Sequence, residues 1–339
     1  MTRPATCRVT LLLSGLPSAA ADADRRLPAL ASLLTRADRL ATPPAGFEVR
    51  LFHLFGIAVP PDADLPIAAV TRLADMGVVD GEWWIRADPV YLEPGRDSLV
   101  LHPVSLTAAE ATRLVDEVSD SLVPDGWLLR APHPQRWYAK PPQAPTLITT
   151  PLADAIGRDI RDLLPRGPDG KAWHTRLSEL QILLHTASTN AGREVRGERP
   201  ANSVWFWGGG RLPQPGVEEW VRVSSDDPLS LGLARLAGVP SGPVPMKCAE
   251  LLAQPGDGDQ LLVLGLPAPI LSQADAEAWQ AALERLVHDW LTPLMAAVHA
   301  GALAELTLVS DIGASFRYRR RHRWYFWRRP RPLATYRAA

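Results

Sequence analysis

The chain has 339 residues, 46% of them hydrophobic and 22% charged, enough apolar material for a large buried core in one or two domains. A formal net charge of −1 removes any global attraction to nucleic acid or to an anionic membrane. Two cysteines, Cys7 and Cys248, exclude a disulfide framework and a Cys-rich zinc site, and they fit a reducing, cytoplasmic setting.

The first apolar run, 9–13, is too short to cross a membrane and reads as a buried strand rather than a signal peptide; it ends at Ser14-Gly15. Leu27, Leu30, Leu33 and Leu34 follow at helical spacing, and 49–55 reads as a second strand. Thr107-x-x-Glu110 is a capping box flanked by Leu106 and Ala111 as a hydrophobic staple, and Leu114, Val115, Val118 and Leu122 give the helix behind it an apolar stripe. Two short strands, 126–130 and 136–139, precede a break at Pro141, Pro142 and Pro145. Trp173, Leu177, Leu180, Leu183 and Leu184 mark another helix, and 203–207 is an apolar strand running into Gly208-Gly209-Gly210. A buried strand at 261–266, a long helix kinked at Pro293 and a last strand at 305–310 complete the series. Strands alternating with helices predict an α/β fold, a mostly parallel sheet with helices on both faces. The 83–149 stretch reads as a small inserted α+β cap, leaving a discontinuous core of 1–82 and 150–339.

The chemistry of recognised motifs is sparse. No His-x-His or His-Glu-x-x-His pair occurs among the eight histidines, so the sequence offers no metal-ligand set. Gly208-Gly209-Gly210-Arg211 matches no nucleotide-binding pattern and reads first as a flexible strand exit, second as an anion cradle. Ser14 lacks a Gly-x-Ser-x-Gly elbow and reads as a turn serine. Between residues 316 and 331, arginines interleave with Phe316, Tyr318, Trp324, Tyr325, Phe326 and Trp327. Such a segment could stack on single-stranded nucleic acid. The structural reading is preferred: the aromatic rings bury, the arginines face water, and 331–339 frays.

A family resemblance enters through the order of several motifs. Leu184-His185, Asn190, Arg193, Gly197-Glu-Arg-Pro-Ala-Asn202 and Trp205-Phe-Trp-Gly-Gly-Gly210 carry the most specific part, and 27–34, Leu54-Phe-Gly-Ile57 and 226–238 continue it. This order resembles the cofactor-independent phosphoglycerate mutases of the archaeal type, within the alkaline phosphatase superfamily. Arg86-Ala-Asp-Pro-Val90 and Phe326-Trp-Arg-Arg-Pro330 look like the bacterial RpfE-type regulatory proteins.

The resemblance implies an alkaline-phosphatase-like core, but the reactive positions depart from it. Ser14-Gly15 replaces the Asp-Gly pair of the first metal loop, Gly46-Phe47-Glu48 replaces the Gly-Ser-Asp run of the nucleophile, 264–272 offers no ligand, and the closing Asp-His pair reads Asp311-Ile312. A phosphoserine mechanism needs an activated nucleophile and metals on the transferring charge. The resulting expectation is a catalytically degenerate, regulatory or ligand-binding relative without catalytic residues, metal or cofactor. It would take a phosphorylated or acidic small molecule on Arg86, Asp88, Asn190, Arg193, Asn202 and Arg211. The same six groups also suit a buried polar network. Two alternatives stand beside this one: an active mutase or related phosphotransferase with a relocated site, and a nucleic-acid or protein interaction module built on the C-terminus.

Overall fold

A computed structural model describes residues 6–13, 27–41, 45–59, 63–216, 220–254, 257–265, 276–310 and 314–329. The chain forms two compact units, one from residues 1–56 and 215–339 and the other from 57–214. It enters the first with strand β1 (Arg8–Leu13), helix α1 (Pro28–Arg36), β2 (Asp38–Ala41) and α2 (Phe47–Leu54). It crosses into the second with α3 (Ile67–Met76), β3 (Trp84–Pro94), β4 (Leu99–Pro103), α4 (Ala108–Leu122), β5 (Leu128–His133) and β6 (Arg136–Lys140). That unit closes with α5 (Leu152–Ala155), α6 (Gly170–Thr186), α7 (Ser188–Val195) and β7 (Ser203–Gly210). The chain returns to the first unit with β8 (Trp220–Ser225), α8 (Pro228–Leu236), β9 (Ser241–Gly242), α9 (Cys248–Ala253) and β10 (Asp259–Leu264). A helical run over Ala276–Leu286 and Thr292–Ala300 then leads to β11 (Glu305–Ser310) and β12 (Ala314–Arg319).

The first unit holds a seven-stranded sheet in the order β2-β12-β11-β1-β10-β8-β9. The five strands from β11 to β9 are parallel, and β12 turns back antiparallel between β11 and β2. Alternate residues explain why the strands read as continuous apolar runs. Leu11, Leu262 and Leu308 lie side by side in one core with α1 and the helical run, while Leu12, Val263 and Val309 are buried on the opposite face. Between Leu286 and Thr292 the helix passes through a π-turn, Val287–Leu291. This turn lies just before Pro293, where a kink is expected; proline has no N–H for the carbonyl four residues back. The 49–55 run, expected as a strand, is helix α2. Leu51 and Phe52 are buried with Arg50, and a short apolar run of this length suits either element until its surroundings choose.

The second unit is wider than the expected 83–149 cap. Its sheet is antiparallel, with the long β3 pairing β4, β6 and β7. β7 runs from Ser203 opposite Val90 to Gly210 opposite Trp84, which draws the 203–210 segment into the same unit. Helices α4 and α6 share one core, where Leu114 and Val115 meet Trp173, Leu177, Leu180 and Leu184. The capping box forms as read: the Thr107 hydroxyl accepts from the Glu110 N–H, and the Glu110 carboxylate accepts from the Thr107 N–H.

The glycine run is part of β7 and not a loop. A Cβ on Gly209 would stand 2.4 Å from the Trp83 ring, and one on Gly210 would stand 2.6 Å from Pro66. These glycines let the strand lie against α3 and Trp83, which is a packing requirement. At the C-terminus, Phe316 and Tyr318 are buried as expected, and the Tyr318 hydroxyl meets His299 Nε2 at 2.8 Å. The expectation fails for the rings beyond the strand. Trp324, Phe326 and Trp327 are 59%, 72% and 63% exposed, because the chain leaves the sheet at Arg319 in a 3₁₀ turn. The 331–339 segment lies outside the described residues. Among the described residues, no helix is long and apolar enough to cross a membrane.

Candidate ligand-binding site

The six residues singled out in the sequence all fall in the 57–214 unit, at separate places on it. Arg86 and Asp88 sit two apart on β3 and therefore face the same side. Arg86 grips Asp88 with Nε at 2.9 Å and Nη2 at 2.7 Å, and the carboxylate also accepts from Trp207 Nε1 at 2.7 Å and from the Trp137 N–H at 3.2 Å. Complete burial pushes the Asp88 carboxyl up, while Arg86, Trp207 and Trp137 pull against it. Asn190 closes the α6–α7 corner: its amide donates to the carbonyls of Leu184 and Ala201 at 2.8 and 3.0 Å and accepts from the Ala201 N–H at 2.9 Å. Asn202 bonds both backbone groups of Leu92, completing a ladder rung for β3. Arg211 donates to the carbonyl of Gly81. Arg86, Asp88 and Asn190 are buried with their polar groups met inside the protein, Asn202 is part-buried and Arg211 is exposed.

Arg193 belongs to a different arrangement. The cap of α4 and the end of α7 converge on the Glu110 carboxylate, which takes Arg193 Nη1 at 2.9 Å and Arg196 Nη2 at 2.6 Å in addition to its capping bonds. Arg193 also donates to the carbonyls of Ser105 and Arg199, each at 3.0 Å, and Arg196 pairs with Glu198. Around this knot opens a cleft of about 790 Å³. Arg113, Arg193, Arg196 and Arg199 line it against only Glu110 and Glu198, a formal charge of +2. Arg199 lies over the Tyr91 ring at 5.7 Å, and among the described residues Arg113 makes no ion pair. Two guanidinium groups are thus free to receive an anion without breaking an internal bridge.

Sequence reasoning found Arg193 and missed Arg113, Arg196 and Arg199. The signal present was the spacing of three in Arg193-x-x-Arg196-x-x-Arg199. Glu110 was read as a cap alone, although it is also the anchor of the cleft.

Burial would raise the Glu110 carboxyl, but the Thr107 bonds and Arg193 outweigh it and hold it below its ordinary value. A carboxyl depressed on folding stabilises above its unfolded value, and that contribution is lost as pH falls through the folded one. Glu110→Gln is therefore expected to lower the urea midpoint at pH 7. The gap from wild type should close as the pH drops below about 4, the range where an unfolded glutamate takes up its proton. A gap that is constant from pH 7 to pH 3 would show that the charge is not what Glu110 contributes.

Phe47, standing where the resemblance puts a nucleophile, is the first residue of α2 behind Gly46, and a phenyl ring forms no phosphoester. Ser14, the 266–272 segment and Asp311 lie outside the described residues. Among the described residues no three of His, Cys, Asp and Glu converge to hold a metal ion.

No protein-family model matches the chain. A 65-residue segment is 37% identical to the 2,3-bisphosphoglycerate-independent phosphoglycerate mutase of Methanosarcina mazei, covering 19% of this chain and 16% of that enzyme. A 153-residue segment is 26% identical to a protein of Geobacter sulfurreducens named as a probable mutase of the same kind, covering 44% of this chain and 38% of that protein. The matched segments thus span less than two fifths of these relatives' own length. The PH0037 protein from Pyrococcus horikoshii shares the fold, with a TM-score of 0.56 at 14% identity over 94% of this chain and 87% of that one. The chain is phosphoglycerate mutase-like over part of its sequence, on a mixed α/β fold.

Proposed function

We propose that this protein is a non-catalytic relative of the cofactor-independent phosphoglycerate mutases that binds a phosphorylated or carboxylate-bearing small molecule. The observation that supports it is the cleft beside α4 and α7, where four arginines face two glutamates. Glu110 and Glu198 neutralise Arg193 and Arg196 and hold them in place, while Arg113 and Arg199 are left to grip the ligand. Arginine suits that role because its planar fork matches a phosphate or carboxylate in two bonds. The other five candidate residues then serve as scaffold: the Arg86–Asp88 pair, the two asparagines and Arg211 set the strand and corner geometry that presents the cleft.

Calorimetric titration with 3-phosphoglycerate at low salt tests the reading. Binding is expected, and the Arg113→Ala, Arg199→Ala double variant should weaken it at least tenfold, the loss of one charge-assisted bond or more. The far-ultraviolet spectrum of that variant should be unchanged, since both side chains are solvent-facing. No heat with 3-phosphoglycerate, inorganic phosphate or citrate would overturn the cleft as a site. Interconversion of 2- and 3-phosphoglycerate by the purified protein would overturn the non-catalytic part.

A further inference from the structure

The exposed rings at the end of the chain stand on a rigid base. His322 is fully buried, its Nδ1 accepts the Arg319 N–H at 3.0 Å, and its ring packs between Tyr318 and Tyr325. Arg328 reaches back to the carbonyl of Arg36 at 3.2 Å. The 320–329 segment is thereby fixed to the first unit, and Trp324, Phe326 and Trp327 still face water. Holding three large rings in solvent forgoes the burial that aromatic side chains normally provide.

The charge around them is equally one-sided. Residues 314–329 contain no Asp, Glu or Lys. Glu305 is shared between Arg317 and Arg319, offsetting one of their two charges, and Asp38 pairs with Arg321. Among the described residues, no carboxylate pairs with Arg320, Arg323, Arg328 or Arg329. Arg323 lies over the Trp324 ring at 4.6 Å and Arg328 over the Tyr325 ring at 4.8 Å. Phe326 and Trp327 meet edge to face, 78° apart, so the rings present separate faces and not one continuous apolar patch.

Separate ring faces interspersed with unneutralised guanidinium groups are the chemistry of a single-stranded nucleic acid site. Bases stack on the rings, and phosphates between them meet the arginines. We infer that the surface of Trp324, Phe326, Trp327, Arg320, Arg323 and Arg329 binds single-stranded nucleic acid without sequence preference. The near-neutral charge of the whole chain confines the attraction to this surface.

The test is fluorescence anisotropy of a labelled twelve-residue oligothymidylate with the full chain. About four phosphate contacts give a salt slope near −3 on a logarithmic scale, so affinity should fall about 50-fold between 50 and 200 mM NaCl. The Trp324→Ala, Phe326→Ala, Trp327→Ala variant should lose about tenfold or more per ring that stacks, with an unchanged melting temperature because the rings are exposed. Arg320→Glu with Arg329→Glu should weaken binding and flatten the salt slope. No binding at 50 mM NaCl would sink the inference, as would binding that survives loss of the rings. Ring-dependent binding to phosphatidylserine vesicles, without binding to the oligonucleotide, would replace it with a membrane surface. The Arg113→Ala, Arg199→Ala variant should bind the oligonucleotide normally, which keeps this result separate from the small-molecule cleft.

Discussion

Asp88→Ala is expected to destabilise the 57–214 unit by about 3–5 kcal/mol, the loss that follows when one partner of a buried ion pair is removed. Arg86 would be left charged and nearly solvent-free, and Trp207 Nε1 and the Trp137 N–H would lose their acceptor. Urea unfolding followed by circular dichroism reads this as an early transition. The Arg86→Met, Asp88→Asn double variant should recover part of the loss, because no charge is stranded and the asparagine oxygen still accepts from one of the two tryptophan donors. An Asp88→Ala protein with an unchanged midpoint would mean that water or a local shift satisfies Arg86, contrary to the packing described.

Removing residues 314–339 should be more damaging still. β12 is an interior strand between β11 and β2, so its loss unpairs both neighbours and uncovers the ladder of β11. Phe316 and Tyr318 go with it, each worth about 3–5 kcal/mol as a buried aromatic. Together they rival the roughly 5–15 kcal/mol that holds a typical protein folded. The expected outcome is insoluble protein, or soluble protein without a cooperative thermal transition. Cutting only after Tyr325 should leave the transition in place, since the rings it removes are exposed. If the shorter protein melts normally, the antiparallel pair at the sheet edge is dispensable.

The sequence makes visible what local patterns determine. The apolar runs of β1, β10 and β11 read as buried strands because side chains on both of their faces are covered. The capping box names the start of α4 within one residue, since both of its bonds lie within four positions of the chain. Residues 49–55 fail because an apolar run that short has no period of its own. The limits of the second unit fail for another reason: β7 joins β3 across more than a hundred residues, and nothing in either segment announces the other.

The candidate site divides the same way. Arg193 stands out through its motif, whereas Arg113 on α4 and Arg199 beyond α7 become neighbours only through the packing of two helices. The terminal aromatics show the limit of hydrophobicity as a guide. Their composition predicts burial, but they lie beyond the last residue of β12 and stand exposed.

The position of β1 sets an order of events during synthesis. Among the described strands it comes earliest in the chain, yet it lies between β10 and β11, whose residues are 259–264 and 305–310. At about 5–20 residues per second, the ribosome needs roughly 15–60 s to deliver those neighbours. Through that interval the nascent chain carries a fully apolar Leu11-Leu12-Leu13 segment with both hydrogen-bonding edges open. The 57–214 unit, contiguous in the chain, can close around its own sheet in the meantime. The discontinuous unit must assemble last, and its opening strand is where a holding chaperone would be needed first.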